Sequence, residues 1–324
     1  MEFLSFTPLL KSTLWGGTRI ARLKRLPSAP DNVGESWEVS ALPGMESVVD
    51  VGPHRGRTLP ELVRQYGPAL VGRSVYARFG DTFPLLVKFI DATRDLSIQV
   101  HPDDRQARLH GHPSGKAEMW FVMDSDPGAA VLLGLREPLT PDGYRRLVAR
   151  HAIAEALVRH PARAGDCFHV PPGRIHAICR GTFLAEIQQT CDLTYRIYDY
   201  DRLDPRSGRP RELHTDLAAD CIDYTVLPDY RTHYRPEPDR PVPLLRTPHF
   251  TTRLHDLTRP ATLHLGTLDS FVLLIALQGT ARLTDPRTGE ARLLRAGSTL
   301  LIPADVPSVD LIGSIRLLET YVAC

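Results

Sequence analysis

Polar side chains recur at alternate positions around residue 100, and their types are those that bind metal ions. The chain reads SIQVHPDD from Ser97 to Asp104. If this segment is a β-strand, Ser97, Gln99 and His101 point to one face, because successive side chains of a strand point to opposite sides. Such a row inside a barrel has to be functional or fully hydrogen-bonded, since burying unpartnered polar groups is costly.

Two further segments supply side chains of the same kind. In the run GKAEMW, strand alternation puts Lys116 and Glu118 on one face, and His176 ends the run RAGDCFHVPPGRIH. Together with His101 these residues offer two imidazoles and one carboxylate, which with an open position form a catalytic zinc arrangement. Gln99 is the weakest of the four candidates, because a neutral amide is a poor donor beside imidazole. Its replacement should loosen the site more than abolish it.

The elements that must position these residues are mostly short β-rich segments, separated by 28 prolines and 23 glycines. This texture is typical of an all-β barrel or sandwich. The predicted strands include Glu35–Ser40, Leu85–Ile90, Met119–Met123, Val131–Leu133, Cys167–Val170 and Phe183–Gln188. Helical spacing predicts fewer helices, which decorate the barrel as insertions. They are Thr58–Tyr66, Pro102–Leu109 and Thr140–Val158.

An internal repeat indicates that the barrel is duplicated. The runs RAGDCFHVPPGRIH and RAGSTLLIPADVPS are offset by 132 residues, which aligns Gly165 with Gly297 and His176 with Ser308. Both runs have the form of a turn, a strand, a proline-containing turn and one position aimed inward. We therefore predict that only the N-terminal copy kept a side chain suited to bind metal.

A proline-rich stretch marks the boundary between the two copies. Tyr234 to Leu244 reads YRPEPDRPVPL, which is too rich in proline for a packed element and makes a natural linker. We predict an N-terminal catalytic domain over residues 1–234, which carries the helical insertions. Residues 245–324 would then form a second barrel without metal ligands.

Charge and composition exclude several classes of protein. The 39 basic and 38 acidic residues nearly cancel, which argues against nucleic acid as a partner but leaves room for one phosphate on a small substrate. The five cysteines contain no CxxC pair and indicate reduced thiols in the cytoplasm. The longest apolar run, Phe271 to Leu277, is too short to cross a membrane, and the first residues do not look like a targeting segment.

Lysine is rare in this chain, and arginine is its usual cation. The four lysines are Lys11, Lys24, Lys88 and Lys116. Where this arginine-rich chain has a lysine, the side chain can provide a compact or deprotonatable amine, which a guanidinium cannot.

Four ordered runs of sequence resemble the successive signature blocks of type I phosphomannose isomerases, over about the first two-thirds of the chain. LWGG and GESWEVS also resemble the opening of that family. The four runs are FPLLVKFIDATRDLSIQVHPDD, GKAEMWFVMD, GDCFHVPPGRIHAI and EIQQTCDLTYRIYDYDR.

The resemblance implies a mainly β fold of two cupin-like, jelly-roll barrels with a few helical insertions, in the short bacterial form of the family. It implies one zinc ion per chain at His101, Glu118 and His176, with Gln99 as a fourth ligand. The implied activity is the zinc-dependent interconversion of mannose 6-phosphate and fructose 6-phosphate through an enediol. Such an enzyme acts on a small sugar phosphate as a monomer or a homodimer.

The resemblance also implies a catalytic Arg196, with Lys116 and Ser97 near the sugar phosphate or the reacting carbons. An always-charged arginine can stabilise an oxyanion. Lys116 can serve as the general base beside a divalent cation or as an ammonium that grips phosphate, and both roles stay open. For Glu186 and Asp199 we favour a supporting role, which is to hold Arg196 or a ligand histidine.

Two rival functions share the barrel. A cupin-type metal-dependent dioxygenase usually draws two histidines from a His-x-His pair, whereas this chain has Gln99 at the first position. A non-catalytic sugar-binding homologue would be expected to lack Arg196 or a ligand, and this chain has both.

Overall fold

The computed structural model describes residues 1–204 and 207–323 and is mainly β, as predicted. Its strands form antiparallel sheets. The strands are β1 (Leu4–Thr7), β2 (Leu9–Gly17), β3 (Val33–Val39), β4 (Val48–Val49), β5 (Leu85–Asp91), β6 (Ile98–Val100), β7 (Glu118–Ser125), β8 (Ala130–Leu135), β9 (Leu157–Pro161), β10 (Cys167–Val170), β11 (His176–Ile178), β12 (Thr182–Gln189), β13 (Tyr195–Tyr198), β14 (Arg231–Thr232), β15 (Val242–Arg246), β16 (Thr251–Leu257), β17 (Ala261–His264), β18 (Val272–Thr284), β19 (Ala291–Arg295), β20 (Thr299–Ile302) and β21 (Ser308–Tyr321).

Short helices fill the connections of the first two-thirds of the chain. A 3-10 turn at Ile153–Ala156 accompanies them. The helices are α1 (Arg19–Lys24), α2 (Leu59–Tyr66), α3 (Pro68–Val71), α4 (Arg73–Phe79), α5 (Asp104–Leu109), α6 (Pro141–Ala149) and α7 (Thr215–Cys221).

Two sheets pack face to face in the N-terminal part. A seven-stranded sheet has the order β14-β10-β7-β12-β5-β3-β2, and a five-stranded sheet has the order β13-β6-β11-β8-β9. The side chains between them include Ile90, Trp120 and Leu184 from the first sheet and Leu133 and Ile178 from the second. This packed interior is where the candidate chemistry lies.

Strand alternation divides the seven-stranded sheet between two environments. Leu85, Val87 and Phe89 of β5 pack in a core shared with Leu273 and Ile275 of β18, which belongs to the C-terminal sheet. The residues between them on β5 point to the opposite face, toward the interior of the N-terminal part. One face of this sheet therefore joins the two halves of the molecule, and the other lines the site.

The C-terminal part is built on a nine-stranded sheet that encloses a second core. Its main order is β15-β16-β21-β18-β20-β1-β4, with β17 paired to β21 and β19 to β18. The first strand of the chain belongs to this sheet, because Leu4 of β1 pairs with Leu301 of β20. The division into residues 1–234 and 245–324 stays a prediction, and β15 already begins at Val242, inside the predicted linker.

The internal repeat corresponds to equivalent elements. The strands β10 and β20 begin 132 residues apart, at Cys167 and Thr299. Gly165 and Gly297 precede them with φ of 94° and 84°, a backbone conformation that favours glycine.

One predicted helix is wrong in its extent, while the other two are confirmed. The pattern predicted a helix to Val158, but α6 ends at Ala149, and His151 adopts a left-handed φ of 58°. The following apolar residues form the 3-10 turn and then β9, which pairs with β8. At α2 the Thr58 side chain accepts from the Glu61 backbone in a capping box, as the sequence order of these residues favours.

Candidate metal centre and active-site cavity

A cavity of about 740 Å³ opens into the interior of the N-terminal part. Its walls include the inward faces of β5, β7 and β12, together with β6 and β13 of the facing sheet. Five of the predicted site residues line this cavity: Ser97, Gln99, Lys116, Glu118 and Arg196.

The three predicted metal ligands meet beside this cavity. One ligand atom from each of His101, Glu118 and His176 lies within 4.8 Å of the other two. The His101 Nε2 atom is 3.3 Å from Glu118 Oε1, and the His176 Nε2 atom is 3.8 Å from Glu118 Oε2. All three side chains are buried. Residues separated by up to 75 positions are thus brought together by β7, β11 and the end of β6.

Backbone carbonyls orient both imidazoles. His101 Nδ1 is 3.1 Å from the Leu193 oxygen, and His176 Nδ1 is 2.7 Å from the Arg174 oxygen. A carbonyl accepts only, so each Nδ1 donates its proton and each Nε2 keeps a free lone pair. This is the arrangement that metal-bound histidines usually have.

The cluster brings buried acceptor atoms together, and a cation beside it, the Lys116 ammonium, lies near Glu118. Neither His101 Nε2 nor either carboxylate oxygen of Glu118 has a hydrogen-bond partner in the described part of the chain. Unpartnered buried atoms of this kind are costly unless a cation lies among them. The donor set therefore fits a divalent metal ion.

The protonation states also suit a metal site. Burial, reinforced by the charge of Lys116, lowers the pKa of His101 to about 3, and burial lowers the pKa of His176 as well. Burial alone would raise the pKa of Glu118, but Lys116 and the two histidines outweigh it and hold that pKa well below its usual range. Near neutral pH the cluster is two neutral imidazoles and one carboxylate, as zinc requires.

Gln99 lies next to this cluster. It is the cross-strand neighbour of His176, and its amide nitrogen is 3.3 Å from His176 Nε2. A ligand role requires the amide oxygen on that side, and which end of an amide carries the oxygen is assigned from its neighbours. Gln99 as a fourth ligand stays a prediction.

Lys116 and Arg196 both lie on the cavity wall, Lys116 beside Glu118 and Arg196 opposite Gln99. Lys116 Nζ is 3.2 Å from Glu118 Oε1 and is buried with it. Arg196 is opposite Gln99 in the pairing of β13 with β6, so the expected strand alternation places it toward the cavity. Burial lowers the pKa of Arg196, with a further contribution from Arg211.

Glu186 and Asp199, both expected to hold Arg196 or a ligand histidine, have different neighbours. Glu186 accepts a 2.9 Å hydrogen bond from the Trp120 indole, and that indole makes a T-shaped contact with the ring of the ligand candidate His176. Asp199 accepts hydrogen bonds from Arg202 and Arg211 and makes none with Arg196, on which only its charge acts.

Sequence reasoning missed a second buried cation in the cavity. Lys88 Nζ is 3.1 Å from Glu186 Oε1 and 3.9 Å from Glu35 Oε2. Burial alone would lower the pKa of Lys88, but Glu186 and Glu35 outweigh it and raise the pKa above the usual range. The signal was present in the composition, since three of the four lysines line this cavity: Lys11, Lys88 and Lys116.

Two other expectations concern the chain as a whole. Four of the five cysteines are buried free thiols, namely Cys167, Cys179, Cys191 and Cys221, and Cys324 lies outside the described residues. Among the described helices, none has the length and apolar character needed to cross a bilayer.

Comparison with known proteins agrees with the geometry. A family model of the phosphomannose isomerase type I catalytic domain matches residues 3–127. The mannose-6-phosphate isomerase ManA of Bacillus subtilis is 33% identical, over 100% of this chain and 98% of that protein. The mannose-6-phosphate isomerase of Streptococcus mutans is 32% identical, over 95% of this chain and 94% of that protein.

Solved structures share the whole fold. The crystal structure of the mannose 6-phosphate isomerase from Bacillus subtilis superposes with a TM-score of 0.89 at 29% identity, and covers 99% of this chain and 100% of that one. A point mutant of phosphomannose isomerase from Salmonella typhimurium, at 17% identity, shares the fold over the full length of both chains with a TM-score of 0.83. The chain therefore belongs to the type I phosphomannose isomerase family.

Proposed function

We propose that this protein is a zinc-dependent mannose-6-phosphate isomerase, which interconverts mannose 6-phosphate and fructose 6-phosphate through an enediol. The observation that carries the proposal is the buried cluster of His101, Glu118 and His176, whose ligand atoms face one another beside a cavity of substrate size. The activity named for the full-length relatives supports the same reaction. The buried free thiols agree with a reducing cytoplasm.

The metal would be held by His101, Glu118 and His176, with Gln99 as the proposed fourth ligand and one ion per chain. A bound zinc ion supplies a Lewis acid that stabilises negative charge on substrate oxygens without redox chemistry. The carbonyls of Leu193 and Arg174 fix the two rings.

The isomerisation moves a proton between C2 and C1, and we assign this transfer to Lys116. Its Nζ atom lines the cavity and is 3.2 Å from the proposed ligand carboxylate Glu118, so its neutral amine would be within reach of a substrate held beside the metal site. Lys88 is the less suitable lysine, because two carboxylates, Glu186 and Glu35, raise its pKa and so disfavour the neutral amine that a base requires. Lys116 pairs with the single carboxylate of Glu118, whose negative charge a bound metal ion would compensate. The alternative role for Lys116, contact with the phosphate, requires the substrate phosphate beside the Glu118 carboxylate, which like charge disfavours.

Arg196 would stabilise the enediolate. It lines the same cavity as Lys116 and Glu118, it is partly buried, and a guanidinium stays protonated there. A fixed donor in a site with little water stabilises a developing oxyanion more strongly than it would in solution. Ser97, buried on the same wall, is available to hydrogen-bond the substrate.

A coupled assay tests the proposal. Conversion of mannose 6-phosphate to fructose 6-phosphate should be lost when zinc is removed with a chelator and should return when zinc is restored. Activity that persists after complete zinc removal would refute the zinc mechanism, and no activity with zinc present would refute the assignment. Stoichiometric iron in the purified protein together with oxygen consumption would favour the dioxygenase alternative.

A further inference from the structure

Arg196 is held from one side by the segment that begins at Glu212. The His214 backbone N–H donates to the Arg196 carbonyl at 2.7 Å, and the Arg196 backbone N–H donates to the His214 Nδ1 atom at 3.2 Å. The Arg196 guanidinium donates through NH1 to the Glu212 carbonyl at 3.0 Å. Three hydrogen bonds therefore tie both the main chain and the side chain of Arg196 to residues 212–214.

The strand that carries Arg196 does not fix it alone. β13 has four residues, and its pairing with β6 is irregular between Arg196 and Tyr198. β13 is also the edge strand of its sheet, and the outward-pointing backbone groups of an edge strand have no strand partner. At Arg196 the backbone N–H is satisfied by an imidazole.

The imidazole of His214 is not there to cap a helix. His214 is the N-cap residue of α7, a position where Ser, Thr, Asp and Asn are preferred because their side chains accept from the first turn. The His214 side chain makes no such bond to α7. Its Nδ1 atom is used on Arg196 instead, and its ring lies on the cavity wall, tilted against Tyr195.

The bond to Arg196 also defines the state of the ring. An Nδ1 atom that accepts a hydrogen bond carries no proton, so the neutral ring has its proton on Nε2. A protonated ring would turn an N–H toward the Arg196 N–H and break the contact. The contact therefore exists only with the neutral Nε2–H form.

We propose that His214 is a positioning residue for Arg196: it holds the Arg196 backbone through Nδ1 and thereby fixes the guanidinium in the cavity. This inference rests on the proposed function, in which Arg196 stabilises the enediolate. His214 acts through Arg196 and needs no contact with substrate. A displacement of about 1 Å in a catalytic group can cost about 100-fold in rate, so loss of this hold should lower kcat.

The test compares two replacements in the coupled isomerase assay. His214→Ala removes the acceptor and should lower kcat up to about 100-fold. His214→Asn keeps an acceptor near the Nδ1 position and a good N-cap residue, so it should retain most of the wild-type kcat. His233→Asn, at an exposed histidine that pairs with Asp229, serves as the matched control. Zinc content and the midpoint of thermal unfolding show whether each variant is folded.

A double variant separates positioning from a general structural effect. If His214 acts through Arg196, then His214→Ala should add little to the loss already caused by Arg196→Gln. Full additivity, or a wild-type kcat in His214→Ala, would overturn the inference.

A spectroscopic readout does not depend on activity. In ¹⁵N NMR of the full-length protein, with His214 assigned by its loss in His214→Asn, the ring should show the neutral Nε2–H tautomer. A proton on Nδ1 would overturn the inference. An inactive wild-type protein would instead count against the proposed function, and the tautomer would still decide the contact between His214 and Arg196.

Discussion

Lys88 and Glu186 form a buried ion pair in the cavity wall, with 3.1 Å between Nζ and Oε1. The second oxygen of Glu186 accepts from the Trp120 indole, which makes a T-shaped contact with His176. Glu186 thus compensates the charge of Lys88 and also holds the indole that packs on His176, a candidate metal ligand.

We expect Glu186→Gln to lower the free energy of unfolding by about 3 kcal/mol, because it removes the nearest carboxylate from the buried Lys88 charge and leaves only more distant ones such as Glu35. Urea unfolding measures the change. Arg145→Gln, which breaks an exposed ion pair with Asp216, is the control and should cost less than about 1 kcal/mol. Equal effects of the two substitutions would show that the buried pair does not stabilise the fold.

Metal binding should respond differently to two of the predicted ligands. His176→Ala removes one of the three clustered ligand atoms and should abolish stoichiometric zinc binding, as measured by elemental analysis after dialysis. Gln99→Ala should weaken zinc binding by only about 10–100-fold, the size expected for a supporting group. If Gln99→Ala abolished zinc binding as completely as His176→Ala, the Gln99 amide would be a full ligand. If zinc binding were unchanged, Gln99 would not belong to the metal site.

Arg196→Lys should lower kcat by about 10²–10³-fold with little effect on zinc content, since it removes a fixed donor from the oxyanion but leaves the metal ligands untouched. Steady-state kinetics with mannose 6-phosphate provide the measurement. Arg235→Lys, at an exposed position of the predicted linker, should leave kcat unchanged. If both substitutions have the same small effect, Arg196 is structural.

The metal-free protein should lose stability as the pH falls below about 6.5. In the unfolded chain His101 has its ordinary pKa near 6.5, whereas burial and Lys116 lower the pKa to about 3 in the folded chain. Above pH 6.5 neither state binds the proton; below it only the unfolded state does, so stability falls by up to about 1.4 kcal/mol per pH unit until the pH approaches 3.

Urea unfolding between pH 7.5 and 5 measures this slope in wild type and in His101→Gln. Other buried histidines, such as His169, contribute in the same direction, so the difference between the two proteins is the readout. Equal slopes would mean that His101 is not held neutral by the fold.

The predicted domain boundary can be tested by expressing residues 1–234 alone. In this fragment β1 lacks its partner β20, and the core that includes Phe89 and Leu273 loses its C-terminal half. We expect the fragment to aggregate or to show weak protection from hydrogen exchange. A monomeric fragment with native-like thermal unfolding would show that the N-terminal part folds independently.

Much of the site could be predicted because strand alternation is a local rule. Gln99 and His101 share a strand face through spacing alone, and so do Lys116 and Glu118. Three distant runs could be combined because two imidazoles and one carboxylate form a recognisable donor set. Flanking turns are local signals too. The strand β10 at Cys167–Val170 could be predicted because a glycine turn precedes it and a proline turn follows it.

The features that were not predicted depend on contacts between distant segments. Nothing local to Lys88 shows that Glu35 and Glu186 face it across neighbouring strands, although the scarcity of lysine was a usable signal. The pairing of β1 with the C-terminal sheet joins residues almost 300 positions apart. The helix predicted to Val158 failed because apolar spacing does not report the left-handed turn at His151, after which the chain pairs with β8.

The proposed function depends on a zinc ion held by His101, Glu118 and His176. Anomalous diffraction at the zinc absorption edge, on crystals of the zinc-loaded protein, tests this binding directly. We predict one strong peak per chain at about 2.0–2.2 Å from His101 Nε2, His176 Nε2 and a Glu118 carboxylate oxygen. A peak elsewhere, or no peak among these three side chains in zinc-loaded and active protein, would show that they do not hold the zinc ion.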